Sequence, residues 1–319
     1  MIAPRPATVR AVFDSLCLGD SIASETLKLR GYQFGWWEQF SSDPALECLN
    51  TSVIRNFQAA AKQSGLAADT IETTISTIYR VLHAAHDEGL FDRIPKRPKR
   101  LHSQPSKTPR ISLAEFDKFL QAIPEAVAEC IRPPAWWQAF WGMIYFTALR
   151  LANVQQLERE QVTAEMVQVR QFKTGKIVQV PTHPVIWRMV RNLGVGERLF
   201  RIDRKSLYRL TVRTCRIAGI RRISPQAIRV LSARQFERAH PGAGRLVLGR
   251  PLPGADGYYF DPPEILRSAI DKLQVPETLM TDEDRQSKLD REGALIGAFR
   301  GMKEHDRETV MRFVLSLVR

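Results

Sequence analysis

The segment Ser224-Pro-Gln-Ala-Ile-Arg229 has the residue types to hold a phosphate. Ser224 suits a helix N-cap and Pro225 the first helical position, so Gln226 and Arg229 fall at i and i+3 on one face of the opening turns. A helix N-terminus attracts anions through its free N–H groups and its dipole. An arginine on that face adds a fork that binds phosphate oxygens bidentately. The surroundings carry the same sign, since residues 198–250 hold fourteen Lys/Arg against two acids, Asp203 and Glu237. Within them Arg209, Arg213 and Arg216 recur at helical spacings of 4 and 3, a basic face suited to a phosphate backbone. A second basic run, RIPKRPKRLHSQPSKTPR at 93–110, has seven Lys/Arg, four prolines and no acid, and contributes Lys96, Arg97, Lys99 and Arg100. Double-stranded DNA is the expected partner.

Composition agrees and excludes other classes. The 319 residues carry 47 Lys/Arg against 34 Asp/Glu, a net charge of +13, with 44% hydrophobic residues, so the chain folds rather than staying disordered. The longest uncharged aromatic-rich run, 135–149, has 15 residues, too few to span a bilayer, and no membrane partner is expected. Cys17, Cys48, Cys130 and Cys215 lie far apart with no CxxC pair, which points to buried, inert thiols in a reducing compartment, the cytoplasm. The opening MIAPRPATVRAVFDSLCLGD lacks a continuous apolar core and carries Asp14, so no signal peptide is expected. A two-metal nuclease needs paired carboxylates near its substrate. None pair near the basic region, and the expected metal and cofactor content is none.

The elements that must position these residues are mostly helical. Residues 1–23 read as an N-terminal arm and 24–92 as a small helical DNA-binding domain. In the latter, Asp69-Thr-Ile-Glu72 has the form of a capping box ahead of Ile71, Ile75, Ile78 and Leu82 at helical spacing. Trp36, Trp37 and Phe40 are expected to pack in the same bundle. Four prolines make 93–110 an extended linker. Ser112-Leu-Ala-Glu115 is a second capping box, opening a domain over 111–275, and AWWQAFWGMIYFTAL reads as a buried core helix. Two alternating runs, 166–170 and 177–180, flank Lys173-Thr-Gly-Lys176 and predict a β-hairpin with Gly175 in the turn. The tail, 276–319, carries two amphipathic helical patterns, with Leu289, Leu295, Ile296 and Phe299, then Val310, Phe313, Val314 and Leu317. The fold class is therefore mainly α with a small antiparallel β-sheet.

Over about residues 24–275 the order of elements resembles the tyrosine recombinase (phage integrase-like) family: a helical core-binding domain, a basic linker and a catalytic domain. The matching motifs are FTALRLANVQQLERE with Arg150, the hairpin KTGK with Lys173, SPQAIRVLSARQF with Gln226 and Arg229, LGRP with Arg250, and GYYFDPP with Tyr259. The resemblance implies a site-specific recombinase in which Tyr259 attacks phosphorus and leaves a 3′-phosphotyrosyl link and a free 5′-hydroxyl. It implies that Arg150 and Arg229 answer the transition-state charge, and that Lys173 protonates the leaving oxygen. It also implies a homo-oligomer, a tetramer on two DNA sites, with the tail exchanged between protomers or packed on its own domain. Tyr258 is the rival nucleophile.

Two positions depart from the family pattern. Gln226 stands where a histidine is usual, and Arg250 where histidine or tryptophan is usual. Glutamine can hold a phosphate oxygen but takes no proton, and arginine stays protonated. Of the other histidines, His183 reads as a loop residue, and His240 is the remaining candidate base. The alternative function is a DNA-binding protein that keeps the recombinase fold without strand cleavage, in an architectural or regulatory role.

Overall fold

Val9, Val12 and Phe13 set an apolar stripe at the start of the chain, and in the computed structural model they open a helix rather than an arm. The structure describes residues 8–17, 24–90, 92–102, 110–170, 175, 177–193, 198–252 and 262–318. The chain divides into two units between Ser106 and Lys107.

Among the described residues of the first unit are four α-helices, α1 (Val9–Cys17), α2 (Ser24–Ser41), α3 (Thr51–Gln63) and α4 (Ala68–Asp87). The segment expected as an arm belongs to the core: Phe13 stacks on Phe34 of α2 with centroids 4.3 Å apart. Ile71, Ile75, Ile78 and Leu82 of α4 are all buried, as their spacing predicts, and Trp37 packs on Phe57 of α3. Asn50 caps α3 by accepting from the N–H groups of Ser52 and Val53. The capping box expected at Asp69 does not form. Helix α4 starts two residues earlier, with Ala67 as N-cap, and Glu72 lies on the buried side, where its carboxylate is used by the basic run instead.

That run is not a free linker over its described part. Residues 94–101 lie against α3 and α4 with Ile94 and Leu101 on the core and Pro98 buried. The proline-rich sequence forbids a helix, and side chains of the two helices satisfy its backbone.

In the second unit Ser112 and Glu115 form the expected capping box of α5 (Leu113–Gln121), whose Phe116, Phe119 and Leu120 are buried. After the short α6 (Ile123–Ala126) comes α7 (Pro134–Thr147), buried on all sides from Trp136 to Thr147 apart from Gln138. Its rings form a continuous cluster with Phe119 and Phe200, Trp136 and Phe140 stacking at 5.9 Å. Helix α8 (Leu151–Gln155) follows, then an antiparallel pair, β1 (Met166–Arg170) and β2 (Ile177–Pro181), with Met166 opposite Pro181 and Arg170 opposite Ile177. Val167 and Val169 point inward while Gln168 and Arg170 point to solvent. Helices α9 (Pro184–Arg191), α10 (Arg204–Ile217), α11 (Pro225–Ala239), α12 (Ala243–Val247) and α13 (Pro262–Ile270) complete the unit, with α11 packed on α7, α12 and α13.

The tail forms α14 (Asp282–Gly301) and α15 (Glu304–Val318). The Arg188–Asp284 ion pair at 2.9 Å ties the first turn of α14 to α9. Beyond it Leu289, Leu295, Ile296, Phe313 and Val314 are all exposed. Of the cysteines, Cys215 is buried, but Cys48 and Cys130 are exposed, against expectation, because each ends a helix or turn at the surface.

Helices α11 and α12 meet at Gly244. A Cβ there would fall 2.4 Å from the Ala233 carbonyl oxygen, a backbone atom that cannot step aside. Gly244→Ala is therefore expected to destabilise the protein by about 1–3 kcal/mol, read as a lower midpoint in urea; an unchanged midpoint would show that the crossing is loose.

Candidate functional site

Arg150 is delivered by a break between two helices. Helix α7 ends at Ala148, which is fully buried and adopts the left-handed conformation (φ 48°), a geometry that costs energy for a residue with a Cβ. Two residues later Arg150 is extended and half-buried, and its carbonyl accepts the first bonds of α8, from the N–H groups of Asn153 and Val154. Val154 and Leu157 anchor α8 in the core, so the turn cannot relax without unpacking them.

Arg229 lies in the second turn of α11, whose N-cap Ser224 accepts from the Ala227 N–H at 3.2 Å. Arg229 is only 5% exposed, and its Nη2 donates to the Leu248 carbonyl at 3.2 Å. Gln226 occupies the opening turn of the same helix and is exposed.

Leu248 belongs to the turn that carries Arg250. After α12 the chain closes with the Gly249 N–H on the Leu246 carbonyl (2.8 Å) and the Arg250 N–H on the Arg245 carbonyl (3.0 Å). Gly249 has φ +72°, the left-handed geometry that a helix end of this kind requires. Arg250 is exposed. Upstream, Glu237 accepts from the N–H groups of Gly242 (3.1 Å) and Gly244 (3.0 Å), fixing the reversal from α11 into α12.

These pieces bring Arg150, Arg229 and Arg250 together. The pKa of Arg229 is pulled down to about 10, first by burial, then by the charges of Arg150 and Arg250. Three arginines from three segments therefore share one field, and a phosphate would relieve both their repulsion and the lost hydration. Lys173, Tyr258 and Tyr259 lie outside the described residues. The strands flanking Lys173 form as expected, and Gly175 has φ +66°.

The histidines are committed elsewhere or peripheral. His183 is not a loop residue but the N-cap of α9: its Nδ1 accepts from the Val185 N–H at 3.2 Å, and its ring stacks on Phe146. Burial drives its pKa down to about 4, against the pull of Asp284, so the ring is neutral when it caps. His240 Nδ1 sits 2.8 Å from the Pro241 carbonyl, which favours the proton on Nδ1.

The expected DNA-facing cations divide into two groups. On α10, Arg209, Arg213 and Arg216 are exposed opposite the buried Leu207, Leu210, Thr211, Thr214 and Cys215. Arg213 also reaches Glu129 at 3.5 Å. On the basic run, Lys96, Arg97, Lys99 and Arg100 are all exposed, but Arg97, with its side chain 36% exposed, also reaches Glu72 (3.2 Å) and Ser76 (2.9 Å). Residues that the sequence pattern did not single out are Ala148, the Leu248 carbonyl, Gly244 and Glu237 as framework, and Glu72 as anchor. Only the glycines of PGAG, by marking a tight turn, gave a hint.

A mainly helical chain with one two-stranded antiparallel sheet and this arrangement of helices has the tyrosine-integrase fold. Among solved structures, a lambda integrase (75–356) dimer bound to a COC′ core site is 18% identical, with a TM-score of 0.63 over 76% of this chain and 95% of that one. A lambda integrase tetramer bound to a Holliday junction gives 18% and 0.63, covering 81% and 79%. The Tn1549 transposon integrase (82–397) in complex with circular intermediate DNA is 11% identical, with a TM-score of 0.61 over 88% and 99%. No protein-family model and no curated protein sequence matches the chain.

Because Arg229 is held charged at a cost, removing it should help the free protein. A depression to about 10 corresponds to a burden on the order of 3 kcal/mol. Arg229→Met is expected to raise unfolding stability at neutral pH, as apolar replacements of buried charges can. An unfolded arginine keeps its proton above pH 10, so wild type should recover stability relative to the variant as pH rises through about 10. Denaturant unfolding at neutral and alkaline pH tests this, and a destabilised variant at neutral pH would refute it.

Proposed function

We propose that the chain is a site-specific DNA recombinase of the integrase kind, which cuts and rejoins DNA strands through a 3′-phosphotyrosyl intermediate without metal or ATP. The observation that carries this reading is the shared field of Arg150, Arg229 and Arg250 at the first turns of α11. The scissile phosphate occupies that field. The Tyr259 hydroxyl gives up its proton to solvent as its oxygen attacks phosphorus, the bond from phosphorus to the 5′-oxygen breaks, and Lys173 gives the leaving oxygen its proton. Arg150 and Arg229 stabilise charge growing on the non-bridging oxygens, with Arg250 adding to it. Attack by a second 5′-hydroxyl reverses the step on another strand.

Lys96, Lys99, Arg100, Arg209, Arg213 and Arg216 serve as backbone contacts, with Arg97 placed to hold the run. The protein acts in the cytoplasm on nucleoid DNA as a homo-oligomer, a tetramer on two sites, and the exposed apolar residues of α14 and α15 supply protomer contacts. The bound states of the integrase structures, on a core site, a Holliday junction and a circular intermediate, support duplex DNA as the partner by likeness of fold.

The second reading, a DNA-binding protein of this fold that has lost strand cleavage, is favoured by Gln226 and Arg250, neither of which can accept the phenolic proton. Loss of general-base help slows such a step by roughly 10²–10⁴-fold.

A nicked suicide substrate carrying a selected binding site separates the two. The first reading predicts a covalent protein–DNA adduct that vanishes in Tyr259→Phe. Survival of the adduct in that variant, with loss in Tyr258→Phe, moves the nucleophile by one residue. Specific binding with no adduct supports the second reading. Gln226→His is expected to speed adduct formation about tenfold or more, and a slower rate would show a site adapted to glutamine.

A further inference from the structure

The carboxylate of Glu72 is buried in α4, yet all its contacts run to or beside the basic run. Its Oε1 accepts from the Leu101 N–H (3.0 Å) and from Gln58 Nε2 (2.9 Å), while its Oε2 meets Arg97 Nη2 (3.2 Å) and Arg100 Nε (3.6 Å). Gln58 Nε2 also donates to the Lys99 carbonyl at 3.1 Å. Further back, Thr51 Oγ1 donates to the Lys96 carbonyl (2.9 Å) and Tyr79 OH to the Pro95 carbonyl (3.0 Å). The Arg97 guanidinium lies over the Tyr79 ring, 5.6 Å from its centre.

We propose that Glu72 is a positioning residue that fastens residues 94–101 to the first unit, so that Lys96, Lys99 and Arg100 form a ready-made phosphate-binding ridge. This rests on reading the chain as a DNA-binding protein. A linker that needs only reach requires no such fastening, and a buried carboxylate is a poor way to gain stability compared with an apolar side chain. What the carboxylate does achieve is sorting. It draws Arg97 inward and grips the near end of Arg100, whose side chain stays 76% exposed, while Lys96 and Lys99 point out. On an extended backbone Lys96 and Lys99 stand about 10 Å apart, far enough to meet two separate phosphates. A run already held in this shape loses little further freedom when it meets a phosphate backbone, whereas a loose one must be ordered at that moment.

Binding of the full chain to a fluorescent duplex of arbitrary sequence, over a salt series, tests this. Replacing both lysines, Lys96→Gln with Lys99→Gln, is expected to weaken binding and to flatten the log–log salt slope by about 1.8, as loss of two phosphate contacts requires. Glu72→Gln is expected to weaken binding about tenfold with the slope nearly unchanged, because the same cations still arrive once the run is ordered. Tryptic cleavage after Lys99 and Arg100 should quicken in parallel. Thr51→Val with Tyr79→Phe, a charge-neutral pair that loosens the other end, should shift affinity the same way and guards against misfolding of the Glu72 variant.

A purely electrostatic role has the opposite sign, since removing a carboxylate from a basic surface strengthens binding. Tighter or unchanged binding by Glu72→Gln, with unchanged binding by the Thr51/Tyr79 variant, overturns the proposal. So does an unaltered slope in the double lysine variant. Failure of the wild-type chain to bind the duplex at low salt overturns the DNA reading itself, a result distinct from either.

Discussion

Holding a guanidinium charged at 5% exposure, with a carbonyl for a partner and two further arginines in its field, is an expensive arrangement. A carboxylate would settle the account within the protein, as it does for Arg188 and Asp284. Among the described residues the charges acting on Arg229 are both positive, so the site is left short of an anion. Such a cluster persists only if the surrounding structure is rigid enough to prevent the arginines from turning away. Much of the second unit can be understood as that rigidity: α11 runs through the middle of the core, packed on α7, α12 and α13.

The cost is distributed over places where the backbone departs from its easiest geometry. Ala148 takes a left-handed turn that would suit glycine, because the buried end of α7 and the anchored start of α8 leave it no other path. Gly244 permits the contact between α11 and α12 that a methyl group would forbid, and Glu237 locks it through two backbone N–H groups. That contact sets the height of Leu248, whose carbonyl steadies Arg229, and Gly249 then turns the chain so that Arg250 faces the same field. No single element makes the site. Arg150, Arg229 and Arg250 come from three segments spread over a hundred residues of chain, held by one aromatic core.

The pattern of apolar spacing was enough to read α4, α5, α7, the hairpin and the N-cap at Ser224, since each depends on local periodicity or on a short capping motif. Local rules failed where a tertiary partner outbid them. Glu72 had the position of a capping residue, but helix α4 starts at another N-cap, and the Glu72 carboxylate is taken up by the basic run. The run itself was legible as extended and illegible as fixed, because prolines announce what a segment cannot form and not what it will touch. Val9, Val12 and Phe13 were too short a stripe to mark as core until α2 and α4 were there to receive them. The cationic segment was plain from composition, yet which arginine would be buried was visible only by way of the resemblance.

The substitution of glutamine and arginine at the two histidine positions then has a definite physical consequence on the proposed reading. Arg250 makes the phosphate pocket more cationic than a neutral imidazole would, and its charge bears directly on Arg229. That strengthens the hold on a phosphate already in the ground state, and only the part of the attraction that grows with the charge on the non-bridging oxygens speeds the chemical step. What has gone is a group able to exchange a proton with the tyrosine oxygen. On that reading the balance shifts from turnover toward tight, salt-sensitive engagement of DNA with slow strand exchange. On the proposed reading the exposed cations on α10 and on the run held by Glu72 act in the same direction, as backbone contacts away from the reacting atoms. On that reading, this distribution of charge favours a long stay on a DNA site over rapid exchange of strands.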